Sequence, residues 1–185
     1  MPLRSYVGFF LNNMEQEAQT FQNLADGRGT RGNLIQNSRG TIRNVGARFR
    51  EELEFLPNVI LAGGLGFEQS MLSVQAINYG PTGGGPPSPT SASRTFTNWA
   101  PEMALTWKPT EAYRHWARAS TGYGIPGFGN VLRDPVTGQP GTNFNLKPQK
   151  NLNFEIGTES KLTETLTVQL VGFWTFFKDE LISRA

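Results

Sequence analysis

Six glutamates, Glu52, Glu54, Glu68, Glu102, Glu155 and Glu159, together with Arg48, Arg50, Arg114 and Arg118, are the side chains best equipped for chemistry. Paired carboxylates can divide acid and base duties, as in glycoside hydrolysis. Their spacing argues against that use. Each occupies an alternate position of a stretch whose intervening residues are largely apolar, so carboxylates and guanidiniums share one face of successive strands. Cross-strand charge pairing on a polar wall accounts for them without a reaction, and no enzymatic activity is expected.

Other candidate sites are weaker. Gly122-Tyr123-Gly124-Ile125-Pro126-Gly127 spells G-x-G-x-x-G, but a dinucleotide loop must open a helix within a βαβ unit, and Pro126 with more loop follows here. His115 is the single histidine and cysteine is absent, so no usual metal set can be completed. Asp134 with Asn130 has too little charge for a good calcium site. No cofactor is expected. Tyr123 and Phe128, aromatic residues on a loop, are candidates to touch a ligand or to belong to an aromatic belt, and Arg118 on the adjoining strand is grouped with them.

The elements that position these residues read as strands. Between Thr142 and Asp179, Leu152, Phe154, Ile156 and Thr158 fall on one face, with Asn151, Asn153, Glu155 and Glu159 on the other. After the polar break Lys161 to Glu164, Leu166, Val168, Leu170, Gly172, Trp174 and Phe176 alternate with polar residues. Two such strands joined by a tight turn make a hairpin. Each is about the roughly 9 to 11 residues that a tilted strand needs to cross a bilayer, and aromatic residues end the apolar faces as an interface belt requires.

Further strands are expected over Ser5 to Leu11, Thr41 to Phe55, Val59 to Glu68, Asn98 to Trp107 and Tyr113 to Tyr123. Small residues on the wet face of the third, Ala62, Gly64 and Gly66, predict something packed closely there. Asn13 before Gln16, with Met14, Ala18, Phe21 and Ala25 up to Gly27, predicts a short amphipathic helix in a long loop. Asn78 to Arg94 and Asn130 to Gly141 read as loops. The fold class is therefore all-β: an antiparallel up-and-down transmembrane β-barrel section of about seven strands. Connections alternate long and short, which places 13–39, 78–95 and 124–149 outside the cell and the turns near Pro57, Pro109 and Thr163 in the periplasm.

Composition agrees. The chain has 185 residues, 37% hydrophobic, with 21 glycines and 12 prolines, a makeup suited to strands and turns. No run approaches the roughly 18 apolar residues of a transmembrane helix. Acids and bases are interspersed around a net charge of +2, which is no footprint for nucleic acid. The apolar SYVGFFL near the start is short for a signal sequence and lacks a cleavage site, so a strand is the better reading.

Two phrases carry a family resemblance. Asn143, then Leu146-Lys147-Pro148 and Phe154-Glu155-Ile156-Gly157, resembles the N-P-x-L-K-P-E run and following strand of TonB-dependent outer-membrane receptors, departing from it at Phe144 and Gln149. Ser120 to Phe128 is similar to their S-R-G-F-R-x-P-x-F. The stretch around Ala100-Pro101 and Lys108-Pro109-Thr110 echoes a third phrase, and GGLGFE (63–68) a fourth.

The resemblance implies that residues 1–185 are part of such a receptor's barrel, without the plug domain and the C-terminal strands. It implies a bacterial outer-membrane location and uptake of a scarce nutrient, typically a ferric siderophore or similar small ligand. Outer-membrane lipid is one partner, and the TonB complex, acting through the plug, is another. On that reading Arg48, Arg50, Glu52, Glu68, Glu102 and Glu155 form the lumen wall facing the plug, and Arg118, Tyr123 and Phe128 are ligand contacts. A soluble secreted β-sandwich that binds a ligand is the alternative from another class, distinguished by a buried apolar face. A passive porin-type or autotransporter barrel is the third.

Overall fold

The computed structural model describes residues 2–24, 29–132, 134, 141–143 and 145–180. Seven strands form one antiparallel sheet in chain order: β1 (Leu3–Asn23), β2 (Arg31–Leu56), β3 (Val59–Asn78), β4 (Ser88–Thr110), β5 (Tyr113–Gly124), β6 (Gln149–Lys161) and β7 (Thr167–Lys178). A four-residue helix, α1 (Phe128–Val131), lies between β5 and β6. The sheet is open, with β1 and β7 at its edges.

Register follows the two-residue period. Leu3, Leu53, Leu61, Leu105, Ala117, Ile156 and Gly172 are successive cross-strand partners and make an apolar row across all seven strands. A slip of one residue in any strand would throw its apolar set onto the charged face, so the rows hold one another in place. Nothing among the described residues covers the apolar face: Phe9 is 82% exposed, Leu170 71% and Trp174 67%. That excludes a sandwich, which would bury it. Trp99 and Trp107 stand on this face eight residues apart, roughly 26 Å along the strand at about 3.3 Å per residue, which at a tilt of about 35–45° spans roughly 20 Å of the roughly 25 Å apolar band of a membrane barrel.

The short connections are tight. Asn58 takes a left-handed conformation (φ 65°) beside Pro57, which its short polar side chain tolerates. Between β6 and β7, the Leu166 N–H donates to Thr163 Oγ1 (3.0 Å) and the Leu162 N–H to the Leu166 carbonyl (2.9 Å).

Two expectations are corrected. No helix forms after Asn13. β1 runs on to Asn23, pairing residue for residue from Asn13↔Arg43 to Thr20↔Gln36. Met14 and Ala18 are four apart, a spacing that fits a period of two as well as 3.6, and a neighbouring strand's hydrogen bonds decide between them. Phe21, which broke the alternation, sits at a register shift. Ala25 and Gly27 lie outside the described residues, as does Phe144.

The second correction concerns the segment 78–95. It is loop only over 79–87, because Ser88 to Thr95 pairs with Asn78 to Met71. β1 to β4, at 20 to 26 residues, thus run on the order of ten residues past the length that crosses a bilayer. β5 to β7, at 12 or 13, do not.

Among the described residues a compact core lies on the polar face, at the end of the sheet with the long connections. Ile42, Leu72, Val74, Ala76, Ala92 and Phe96 are buried there beneath Val131 and Leu132, with Ile125, Phe128 and Leu146 packed against them. The described residues around α1 and at Leu146, between β5 and β6, therefore pack onto the sheet instead of standing away from it. Pro101 marks where the chain departs. With no N–H to offer a neighbour, it lies just past Glu102↔Ser120, where the β4–β5 ladder ends.

Candidate functional site

The polar face divides into bands. At the short-turn end, Arg50, Gly64, Glu102 and Ser120 are successive partners across β2 to β5. Glu102 Oε1 accepts from Arg50 Nη1 (2.7 Å) and Oε2 from Arg118 Nη2 (2.6 Å), while Arg50 also meets Glu52 (3.0 Å). Arg50 and Glu102 stand two strands apart, roughly 9.6 Å at 4.8 Å per strand, and only a bare backbone between them lets the pair close. Gly64 supplies it: a Cβ there would come within 2.8 Å of Glu102 Cγ and Oε1. At Gly66, a Cβ would press on Ala100 (3.3 Å) and graze Arg48 Cγ (3.9 Å). The small residues noted in sequence thus make room for the ion network itself.

Arg118 is the cross-strand partner of Glu155, yet it pairs with Glu102. Glu155 instead accepts from Trp116 Nε1 (2.6 Å), whose ring lies over Gly157 where any Cβ would overlap it. Phe10 covers Gly46 in the same way. An aromatic ring laid across a neighbouring glycine recovers the packing a strand glycine forfeits. A cleft of about 430 Å³ sits over this band, bordered by Tyr6, Gly8, Arg48, Arg50, Glu102 and Arg118.

In the middle band Glu68 accepts from Ser70 Oγ (2.8 Å) and lies beside the Tyr123 side chain. Past Pro101, β5 bends over the sheet and carries Tyr123 inward. Phe128 is carried further, its ring standing over Gly40. Neither aromatic residue joins the outer belt. Beyond them a cleft of about 400 Å³ opens between β1, β2 and α1, lined by Gln16, Thr20, Gln36, Ser38 and Phe128.

The structure therefore brings Arg50, Glu52, Glu102 and Arg118 into one network. It sets Glu155 beside Trp116, and Glu68 beside Tyr123. Tyr6, Trp116 and the amides and hydroxyls of the upper cleft escaped the sequence reading. Even-numbered alternation carried on through 13–20 would have found Gln16 and Thr20. His115 lies on the apolar face, with Nδ1 3.0 Å from Thr158 Oγ1 and its ring 5.3 Å from that of Trp107. The G-x-G-x-x-G run ends an antiparallel strand, not a βαβ unit. Among the described residues no group of three or more His, Cys, Asp or Glu converges as a metal site.

Known proteins share this architecture. The family model for the TonB-dependent receptor-like β-barrel matches residues 3–185. The crystal structure of the ferric yersiniabactin uptake receptor FyuA from Yersinia pestis superposes with a TM-score of 0.73 at 18% identity, covering 96% of this chain and 26% of that one. At that identity the superposition speaks for the fold. With the matched family, the open antiparallel sheet, the uncovered apolar face and the charged opposite face, this chain belongs to the TonB-dependent receptors, as a seven-stranded section of their β-barrel.

Proposed function

We propose that this chain forms part of the wall of an outer-membrane receptor that takes up a scarce nutrient, a ferric siderophore or similar small chelate, with energy relayed from the TonB complex through a plug domain. The observation that carries the reading is the network of Arg50, Glu52, Glu102 and Arg118 on the face opposite the lipid-facing one. These are fixed charges at the end with short turns, and they offer a plug a complementary polar wall. Arg48, Glu68 and Glu155 extend that wall, and Tyr123 and Phe128 stand on the cargo's path above it. The FyuA name points to a ferric chelate as cargo, and the barrel family points to the bacterial outer membrane.

The test is uptake of radiolabelled ferric chelates by cells carrying the complete receptor, with and without a working TonB system. Energy-dependent accumulation that falls in a Glu102→Lys variant, at unchanged surface expression, is the expected result. Accumulation indifferent to TonB would leave a passive pore instead.

A further inference from the structure

The lower cleft beside Arg50 and the upper cleft beside Phe128 differ in kind. Among the described residues the upper arm of the β1–β2 hairpin carries five charges, Glu15, Glu17, Arg31, Arg39 and Arg43, and none of them lines the upper cleft: Arg39 pairs with Glu15 and Glu17 at 3.5 Å on the outer face, and the Arg31 guanidinium lies 3.4 Å from the Phe21 ring centroid. The even positions of β1 and β2 that line the upper cleft are amides, hydroxyls and small residues, Val74 and Leu132 add apolar surface, and no charged side chain lines it among the described residues. The lumen-facing cation of the upper band, Arg94, is turned to the loop: its Nη2 donates to the Leu146 carbonyl (3.3 Å).

Within the cleft, the Gln36 Nε2 donates to Asn78 Oδ1 (2.8 Å), which orients the amide and leaves its oxygen as an acceptor. Ser38 Oγ donates to the Ala18 carbonyl (3.3 Å), which leaves its lone pairs to accept. Gln16 and Thr20 add donors and acceptors on β1. Phe128 supplies an aromatic wall, held by α1 over Gly40. About 400 Å³ is within the range of small-molecule sites, roughly 300 to 1,000 Å³.

We infer that this upper cleft, formed by Gln16, Thr20, Gln36, Ser38 and Phe128, binds an uncharged, hydroxyl- or amide-bearing portion of the cargo and discriminates against anionic chelates. The physical reason is desolvation. A charged group entering a cleft that provides neutral hydrogen bonds and one ring, but no counter-charge, loses its hydration without an equivalent. A neutral hydroxyl or amide exchanges its water bonds for matched ones and rests its apolar side on Phe128. The inference rests on the uptake reading above and names the chemistry of its cargo. Two sources supply it: a neutral ferric hydroxamate chelate and a neutral oligosaccharide.

The experiment is titration calorimetry on the complete receptor in detergent, with three probes: a neutral ferric tris-hydroxamate, a neutral oligosaccharide and a trianionic ferric tris-catecholate. One of the neutral probes is expected to bind, and which one identifies the source. Gln16→Ala, on a solvent-exposed stretch of β1, should weaken it about fivefold to tenfold, the worth of one hydrogen bond. Gln16→Lys should shift the preference toward the trianion. Tighter binding of the trianion by the unaltered receptor, or no binding of either neutral probe, overturns the inference. TonB-dependent uptake of the trianion would sink it while leaving the uptake reading intact. Neutral binding without TonB-dependent uptake would do the reverse.

Discussion

The lower and upper bands of the polar face solve the same packing problem with opposite chemistry. Below, strands bearing Gly64, Gly66 and Gly157 are covered by long charged side chains and an indole, and the side chains pair across one or two strands. Above, Ile42, Leu72, Val74 and Phe96 are covered by a separate piece of chain carrying Val131 and Leu132. The lower band is self-satisfied at the level of side chains and stays open to a partner. The upper band is closed over β2 to β4 by apolar burial, worth roughly 1.5–3 kcal/mol for each large side chain withdrawn from water, and stays open only at the cleft beside β1. A polar face is thus no uniform lining, and where it turns apolar the chain itself provides the cover.

Substitutions can break this contrast, and the largest effect is expected above. Val131 is fully buried, so Val131→Asp sets an unpaired charge in the apolar cluster at roughly 3–5 kcal/mol of loop docking. Limited proteolysis within 125–148 should become fast while the heat-induced gel shift of the barrel is unchanged. Protection equal to that of the parent would show that this cluster does not hold the segment down.

Next is Gly64→Val, which drives a side chain against Glu102 and should cost about 2–3 kcal/mol, read as a denaturant midpoint of the complete barrel in micelles. Adding Glu102→Ala should recover part of that loss, since the clash is with that carboxylate; strict additivity of the two changes would refute the packing explanation. Glu102→Gln alone should cost about 1–2 kcal/mol. The deficit should shrink as salt rises, because these side chains are partly exposed and screened. A salt-independent deficit would mean that shape, not charge, is at stake. The smallest effect sharpens the contrast between neighbours: Gly63, on the opposite face, has open space where a Cβ would go, and Gly63→Ala should stay within about 0.5 kcal/mol of the parent.

Legibility followed the reach of each interaction. Strand identity for Tyr113 to Tyr123 or Leu152 to Thr158 depends on alternation within one segment, and the sequence displays it. The upper arm of β1 is ambiguous in sequence because Met14 and Ala18 satisfy two periods at once, and pairing with β2 settles which one applies. Phe128 looked like an outward loop aromatic because a loop's sequence carries no mark of the surface it will lie on. Only Pro101, by ending the β4–β5 ladder, hinted that the chain would turn inward.

From its residues alone this protein is a set of seven antiparallel strands with a lipid-compatible face, a charged face and long connections at one end, because a two-residue period fixes which side each residue takes. Tertiary structure alone decided who meets whom on those sides: that Glu102 reaches over Gly64 to Arg50, that Arg118 forsakes its neighbour Glu155, and that α1 comes down on the upper wall. Alternation is a property of one strand, whereas such meetings depend on the space that two or three strands jointly leave open.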